Sequence, residues 1–413
     1  MTTWSFWPLK TDSRRSTLGT GAGTEIDLRI LMILFNQTGK GTYWRAFHFG
    51  RVLAKRGHIV TLMAISPHSR LKLDERDENG IHVVETPDLL PGSLRSGWDA
   101  WDTLRRIAWL RGRSFDIIHA FESRPVVIFP ALSIQRCGAK LVMDWCDWFG
   151  RGGSVEERPN PLVRDVLRPI ETFFESRFRA RADGATVINS FLRERAIKLG
   201  VRPESILLLR NGSDTSRAPL GKLEARQTLG LPIAAPLIGY VGGIFIRDAG
   251  LMASAFNTVQ QMIPSVRLVL VGYFNRRIEA LMDDPSAVVR TGPVTSEQVY
   301  QYLAACDLGW LPLCDSGANR GRWPFKLNDY MTVGRPVVAS GVGDLADVIP
   351  HYQLGVVTRD DANDFATQTL DLLTDADRRE ALGRAARRAA EEVFSWERLT
   401  DDLEAFYQQV LAH

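Results

Sequence analysis

The densest run of residues able to do chemistry lies at 319–329, where Arg320, Arg322 and Lys326 surround Trp323, Pro324 and Phe325, with Asn319 before them and Asp329 after. The pattern predicts a helix that begins near Lys326, carries Asp329 in its first turn and stops at Gly334, ahead of the apolar run 336–339. Cations and free backbone N–H groups at a helix start suit a phosphate, and a carboxylate one turn in can accept from sugar or ribose hydroxyls. A solvated basic loop before an ordinary helix would carry the same charge, so charge alone leaves both readings open. Two glycine turns could cooperate with this stretch. The first, at Gly39 and Gly41, follows the apolar run 29–35; the second, at Gly242 and Gly243, follows Tyr240 and Val241 and is itself followed by Arg247. Glycines between a strand and a helix let backbone N–H groups approach a phosphate, although a plain strand-to-helix turn reads the same way. The first turn is not a dinucleotide fingerprint: Trp44 stands where the third glycine would be needed, and no acid ends the second strand near Met63.

What must hold these turns is a pair of parallel sheets. Short β-rich runs alternate with helical stretches, giving expected strands over 29–35, 59–63, 81–85, 116–120, 140–143 and 185–188, then over 236–241, 266–271, 287–290, 308–311, 336–339 and 355–357. The implied fold class is α/β, two Rossmann-like doubly wound units in series. A chain of 413 residues exceeds one ordinary core, so two domains facing a cleft are expected. The expected division is a tail over 1–28, a first domain over 29–208, a second over 209–394, and a final helix over 395–413 that packs back towards the first domain. Turn residues Asn211, Gly212, Ser213 and Asp214 mark the boundary, and Leu399, Leu403, Phe406, Tyr407 and Val410 give the last helix its apolar face.

Composition narrows the class further. Hydrophobic residues make up 45%, charged residues 24%, and the net charge is +3, which suits a globular protein and gives no nucleic-acid partner. Four scattered cysteines read as free thiols in a reducing cytoplasm, and no apolar run is long enough to cross a bilayer. No His, Asp or Glu cluster has metal-ligand spacing, so no metal is expected.

The order of residues is more specific than their charge. Pro324, Lys326, Asp329 and Tyr330, followed by Gly334, Pro336, Val337, Val338, Ala339 and Ser340, resemble the donor-site signature of the family 4 retaining glycosyltransferases. Asp116 to His119, Asn211 to Asp214, Val271 with Gly272, Gly292 to Val294 and Asp307 to Pro312 also fall in that family's order, so the resemblance covers nearly the whole chain from residue 29. It implies the GT-B fold and a nucleotide-diphosphate sugar as co-substrate, with no cofactor. Transfer would go to a hydroxyl acceptor, such as a glycan, a lipid-linked sugar or a small molecule, with retention of configuration and without metal. By the same resemblance Asp329 would bind the ribose, Lys326 and the backbone around Arg322, Trp323 and Phe325 the diphosphate, and Val294 the base. Two departures stand out. Gly321 occupies the place of an acid eight residues before Asp329, leaving Asp315 or Asn319 to substitute or the contact absent. Gly243 replaces an arginine, and Arg247 only approximates the lysine that follows, so Lys326 and Arg247 would share the phosphate charge.

On the acceptor side His119 ends a strand, where ligands collect in open α/β sheets, and Glu122 follows it. The loop Asp144, Trp145, Cys146, Asp147 and Trp148 could cover a sugar ring with its aromatics and accept from hydroxyls with its carboxylates; a packed loop with capping aspartates is the alternative. Candidate catalytic residues are therefore His119, Asp144, Asp147 and Lys326. The segment 93–113, with Trp98, Trp101 and Trp109 among five arginines, leaves open a peripheral contact with an anionic membrane at its inner face, against the plainer reading of a surface helix with buried tryptophans. A GT-B sugar-nucleotide epimerase and a non-catalytic nucleotide-sugar binder are the rival functions.

Overall fold

The computed structural model describes residues 27–216, 218, 220–274 and 277–413. The tail expected over 1–28 lies outside them except for Asp27 and Leu28. Eight strands form the first sheet: β1 (Arg29–Gln37), β2 (Ile59–Ile65), β3 (Asp74–Glu78), β4 (Ile81–Thr86), β5 (Ile117–Phe121), β6 (Lys140–Trp145), β7 (Gly184–Val187) and β8 (Ile206–Leu208). Their order is β3-β4-β2-β1-β5-β6-β7-β8, parallel except where β3 pairs with β4. The second sheet, all parallel, contains β9 (Leu237–Val241), β10 (Arg267–Val271), β11 (Val288–Arg290), β12 (Leu308–Leu311), β13 (Val337–Ser340) and β14 (Gly355–Thr358), in the order β11-β10-β9-β12-β13-β14.

In each sheet the strand order reverses at one place, beside β1 in the first and beside β9 in the second. Crevices at the carboxyl ends of such strands are where open α/β sheets bind ligands. The two glycine turns leave β1 and β9, so both open at these switch points. β1 is apolar and buried along most of its length because helices cover both faces of the sheet. β3 was not expected: its residues Asp-Glu-Arg-Asp-Glu contain nothing apolar. As an exposed edge strand it is held by pairing and by ions such as Arg76–Glu85 at 2.6 Å, and its charges blunt the edge. β8 ends at Leu208, just ahead of the turn residues 211–214.

The last helix, Trp396–Ala412, is capped by Ser395, whose side chain accepts from Arg398 N. Its Leu399, Leu403, Phe406, Tyr407 and Val410 are buried in the core of the first domain with Phe47, Phe49 and Leu53. Arg56 adds ion pairs to Asp401 and Glu404 at 2.6 and 2.7 Å. Segment 93–113 keeps Arg111 and Arg113 exposed just beyond the helix Ala100–Leu110, while two of its five arginines turn inward. Arg106 is fully buried against Asp102 at 2.8 Å, and Arg95 turns in to the carbonyls of Leu90 and Ser66. Among the described residues no helix is long and apolar enough to cross a membrane.

Candidate active site

Between the carboxyl ends of the two sheets lies a cavity of about 390 Å³. Four cations line it, Arg45 and Arg124 from the first domain and Arg322 and Lys326 from the second, against one acid, Asp147. Phe35, Asn36, Gly41 and Phe149 form part of the first wall, and Tyr240, Trp323, Pro324 and Phe325 much of the second.

The second wall is built around the helix Phe325–Thr332, whose N-cap is Pro324. Lys326 Nζ donates to the Gly243 carbonyl at 3.0 Å and sits 4.8 Å from the centre of the Tyr240 ring, so the Gly242–Gly243 turn and the basic stretch meet at one ammonium. Gly242 has φ +75°, a left-handed conformation that favours glycine. Burial, helped by neighbouring Arg322, pushes the Lys326 pKa down to about 7. Asp329, three residues on, is pushed up to about 7 by burial, with Lys326 opposing the shift, and Tyr300 donates to it at a long 3.5 Å. A lysine so short of compensating charge gains most when an anion arrives.

Arg322 lies over the Phe245 ring at 4.5 Å, donates to Asn319 Oδ1 and stands 3.5 Å from Asp248 Oδ2. Asp248 is buried and accepts from Cys314 N at 2.9 Å and from Asn319 Nδ2 at 3.0 Å. Asn319 is therefore framework that aligns Asp248 and Arg322. Asp315, proposed with it as a substitute acid, is exposed, paired with Arg320 at 2.5 Å, and absent from the cavity wall. Arg247 is exposed and also absent from the wall, which leaves Arg322 as the second cation beside Lys326. Val294 packs against the apolar core and does not line the cavity, and neither does Gly39.

Gly321 has a packing reason for lacking a side chain. A Cβ there would come 2.6 Å from Trp148 Cβ, and one on Gly317 would meet Trp148 as well. Trp148 belongs to the first domain, so its ring lies on a glycine floor of the second and is flanked by Arg195 at 3.9 Å and Phe191 at 5.5 Å. The domains are joined nearby by Asn189 Nδ2, which donates to the carbonyls of Arg320 and Arg322, and by Ser190 N, which donates to Asp344 at 3.2 Å.

The first wall departs from expectation. His119 is fully buried: Thr186 Oγ1 donates to Asp144 at 2.6 Å, so it accepts from His119 Nε2 at 3.0 Å, and Tyr407 donates to His119 Nδ1 at 2.7 Å. Burial lowers this imidazole to about 4 and keeps it neutral. Burial would raise Asp144, but the Arg45 guanidinium at 2.9 Å holds it below the usual carboxylate range. Trp145 is buried and donates to Glu175 at 3.1 Å. Glu122, buried with φ +70°, accepts from Cys146 N at 2.9 Å and pairs with Arg179 at 2.9 Å. His119, Asp144, Glu122 and Trp145 are thus framework behind the cleft, correcting their expected roles in catalysis or acceptor contact. Trp148 is likewise an interdomain contact. Asp147 alone of that set reaches the cavity; burial raises it to about 6, with Arg322 across the cleft opposing.

Sequence reasoning missed Arg45, Arg124 and Asp248. Arg45 binds Asp144 and donates to the carbonyls of Leu209 and Arg210 and to Asn211, tying the first wall to the chain that crosses between domains. Its only signal was its place soon after the first glycine turn. Asp248 follows the second glycine turn but reads as an ordinary helix-start carboxylate. Asn36 Oδ1, Arg124 Nε and Arg322 Nε, on opposite walls, are buried without a protein hydrogen-bond partner. Among the described residues no group of three or more His, Cys, Asp or Glu is disposed to hold a metal.

Residues 40–212 match the model of the glycosyl transferase 4-like domain, and residues 235–375 match that of the glycosyl transferases group 1. A spore coat protein SA of Bacillus subtilis is 33% identical over 87% of this chain and 92% of its own length. The chain belongs to the group 1 glycosyltransferases. A D-inositol 3-phosphate glycosyltransferase of Stackebrandtia nassauensis is 26% identical to this glycosyltransferase over 62% of the chain. The chain spans 55% to 59% of the length of that protein and of two other curated relatives. The crystal structure of Anabaena HepE in complex with UDP and glucose matches with a TM-score of 0.66 at 16% identity, covering 92% of this chain and 100% of that one, which shows the shared GT-B fold.

Proposed function

We propose that this group 1 glycosyltransferase moves a sugar from a nucleoside-diphosphate donor to a hydroxyl acceptor, with retention and without a bound metal. The observation that carries the reading is the convergence of Lys326, Arg322 and the Gly242–Gly243 turn on one side of a cleft whose lining is cationic. A diphosphate there meets two cations, both half-buried, and the field of a water-poor site strengthens both contacts. The likeness to a structure that holds UDP and glucose supports a nucleoside diphosphate as the leaving group.

Each group then has a task. Lys326 and Arg322 stabilise charge as the bond between anomeric carbon and phosphate oxygen breaks, and Asp329 accepts from the ribose hydroxyls. Asp147 faces the donor from the first wall and accepts from a hydroxyl of the acceptor or of the transferred sugar. The departing phosphate oxygen takes the acceptor's proton on the same face, which gives retention. Closure of the domains near residue 210 orients the partners and excludes water that would hydrolyse the donor. Screening UDP-, GDP-, ADP- and dTDP-sugars for thermal stabilisation tests the donor assignment, because a ligand that binds only the folded state raises its melting point. Product analysis separates transfer from epimerisation: an isomerised donor with no transferred sugar would contradict the proposal.

A further inference from the structure

The helix Pro161–Arg177 is built inside out. Its buried residues are both acids, Glu171 and Glu175, while Leu162, Val163, Val166, Ile170 and Phe173 are 38% to 78% exposed. The inward glutamates have structural work: Glu171 pairs with Arg124 at 2.8 Å, and Glu175 accepts from Phe149 N and Gly150 N at 2.9 Å each. The outward residues recur at helical spacing and make an apolar stripe about 17 Å long at 1.5 Å per residue. The patch continues onto the helix Pro125–Gln135, whose exposed Phe129 meets Phe174, which in turn meets Phe173.

An exposed apolar face of this kind marks an interaction site, and its charge selects the partner. With two of its three carboxylates turned inward, the helix sets Arg164, Arg168 and Arg177 against Asp165; Glu156 also pairs with Arg168 at 2.6 Å, and Arg177 stays exposed. Exposed Arg181 follows the helix, and exposed Arg151 donates its N–H to Thr172. In a two-fold pair the same patch would meet itself, setting cationic rim against cationic rim. Phosphate headgroups would neutralise that rim while the stripe enters the acyl boundary. We propose that the face formed by Leu162, Val166, Ile170 and Phe173 docks this glycosyltransferase onto an anionic lipid surface. Phe149, held by Glu175, lines the cleft, so the docking face and the acceptor side share a wall. The proposal stands independently of which nucleotide the cleft takes.

Co-sedimentation of the full chain with phosphatidylglycerol-containing vesicles tests it, with pure phosphatidylcholine vesicles as the comparison. Wild type is expected to pellet with the anionic vesicles, less so at high salt. Val166→Asp and Ile170→Asp, at exposed positions, are expected to lower that binding by about tenfold or more while keeping the wild-type melting point and its shift with UDP. Wild type remaining in the supernatant with both vesicle types would overturn the proposal. So would variants that pellet as wild type does, or a dimer in solution that Val166→Asp dissociates.

Discussion

The residues whose types suggest chemistry are placed differently in the two walls of the cleft. In the second domain Lys326 and Arg322 reach the cavity and keep bonding capacity there: Arg322 Nε has no protein partner, and Lys326 is held mainly by one carbonyl. In the first domain Asp144 and Glu122, which stand at strand ends just as a ligand site would require, and His119, which lies in the middle of β5, are consumed by Tyr407, Thr186, Arg45 and Arg179. The difference follows from the last helix. It crosses back and buries Tyr407 behind the first sheet, so the polar groups there must satisfy one another. A strand-end position therefore marks a site only where no other element covers it.

The comparison can be broken most forcefully at Arg45. Removing one partner of a buried ion pair leaves the other uncompensated, so Arg45→Ala should destabilise the fold by about 3–5 kcal/mol in denaturant unfolding. A loss near zero would mean that Asp144 is not framework.

His119 gives the next largest effect. Its folded pKa of about 4 lies below the ordinary 6.5, so the folded chain holds the neutral ring while the unfolded chain takes up a proton. The stability it contributes is complete above pH 6.5, falls as pH drops towards 4 and changes no further below that, a loss of about 3 kcal/mol. Unfolding measured across that range should show this slope in wild type and not in His119→Gln. If the slope is the same in both, the imidazole is open to solvent and could serve the site after all.

Gly321→Ala sharpens the account of the interface. A methyl group 2.6 Å from Trp148 Cβ must push the domains apart or strain the loop, at about 1–3 kcal/mol, measured by thermal unfolding. An unchanged melting point would show that Trp148 yields freely.

Most of the fold was legible because its strands are apolar runs of the right length between turn residues, as in β1, β10 and β13. β3 escaped because pairing and charge hold it, leaving no hydrophobic period to read. At the site, the run from Arg322 to Asp329 was legible because its residues are neighbours in sequence as well as in space. Arg45 was not, since its partners Asp144 and Asn211 lie 99 and 166 residues away. The substitute for the acid lost at Gly321 was sought locally, at Asp315 and Asn319, whereas the carboxylate facing Arg322 is Asp248, which comes from another helix.

Donor affinity of Lys326→Ala tests the central claim most directly. Titrating wild type and variant with the nucleoside diphosphate that most stabilises wild type should show affinity lower by roughly 10- to 100-fold, as the loss of one charge-assisted contact of about 1.5–3 kcal/mol implies; Asp329→Ala should weaken binding less. Equal affinity in wild type and Lys326→Ala, with both folded to the same extent, would mean that the diphosphate lies elsewhere.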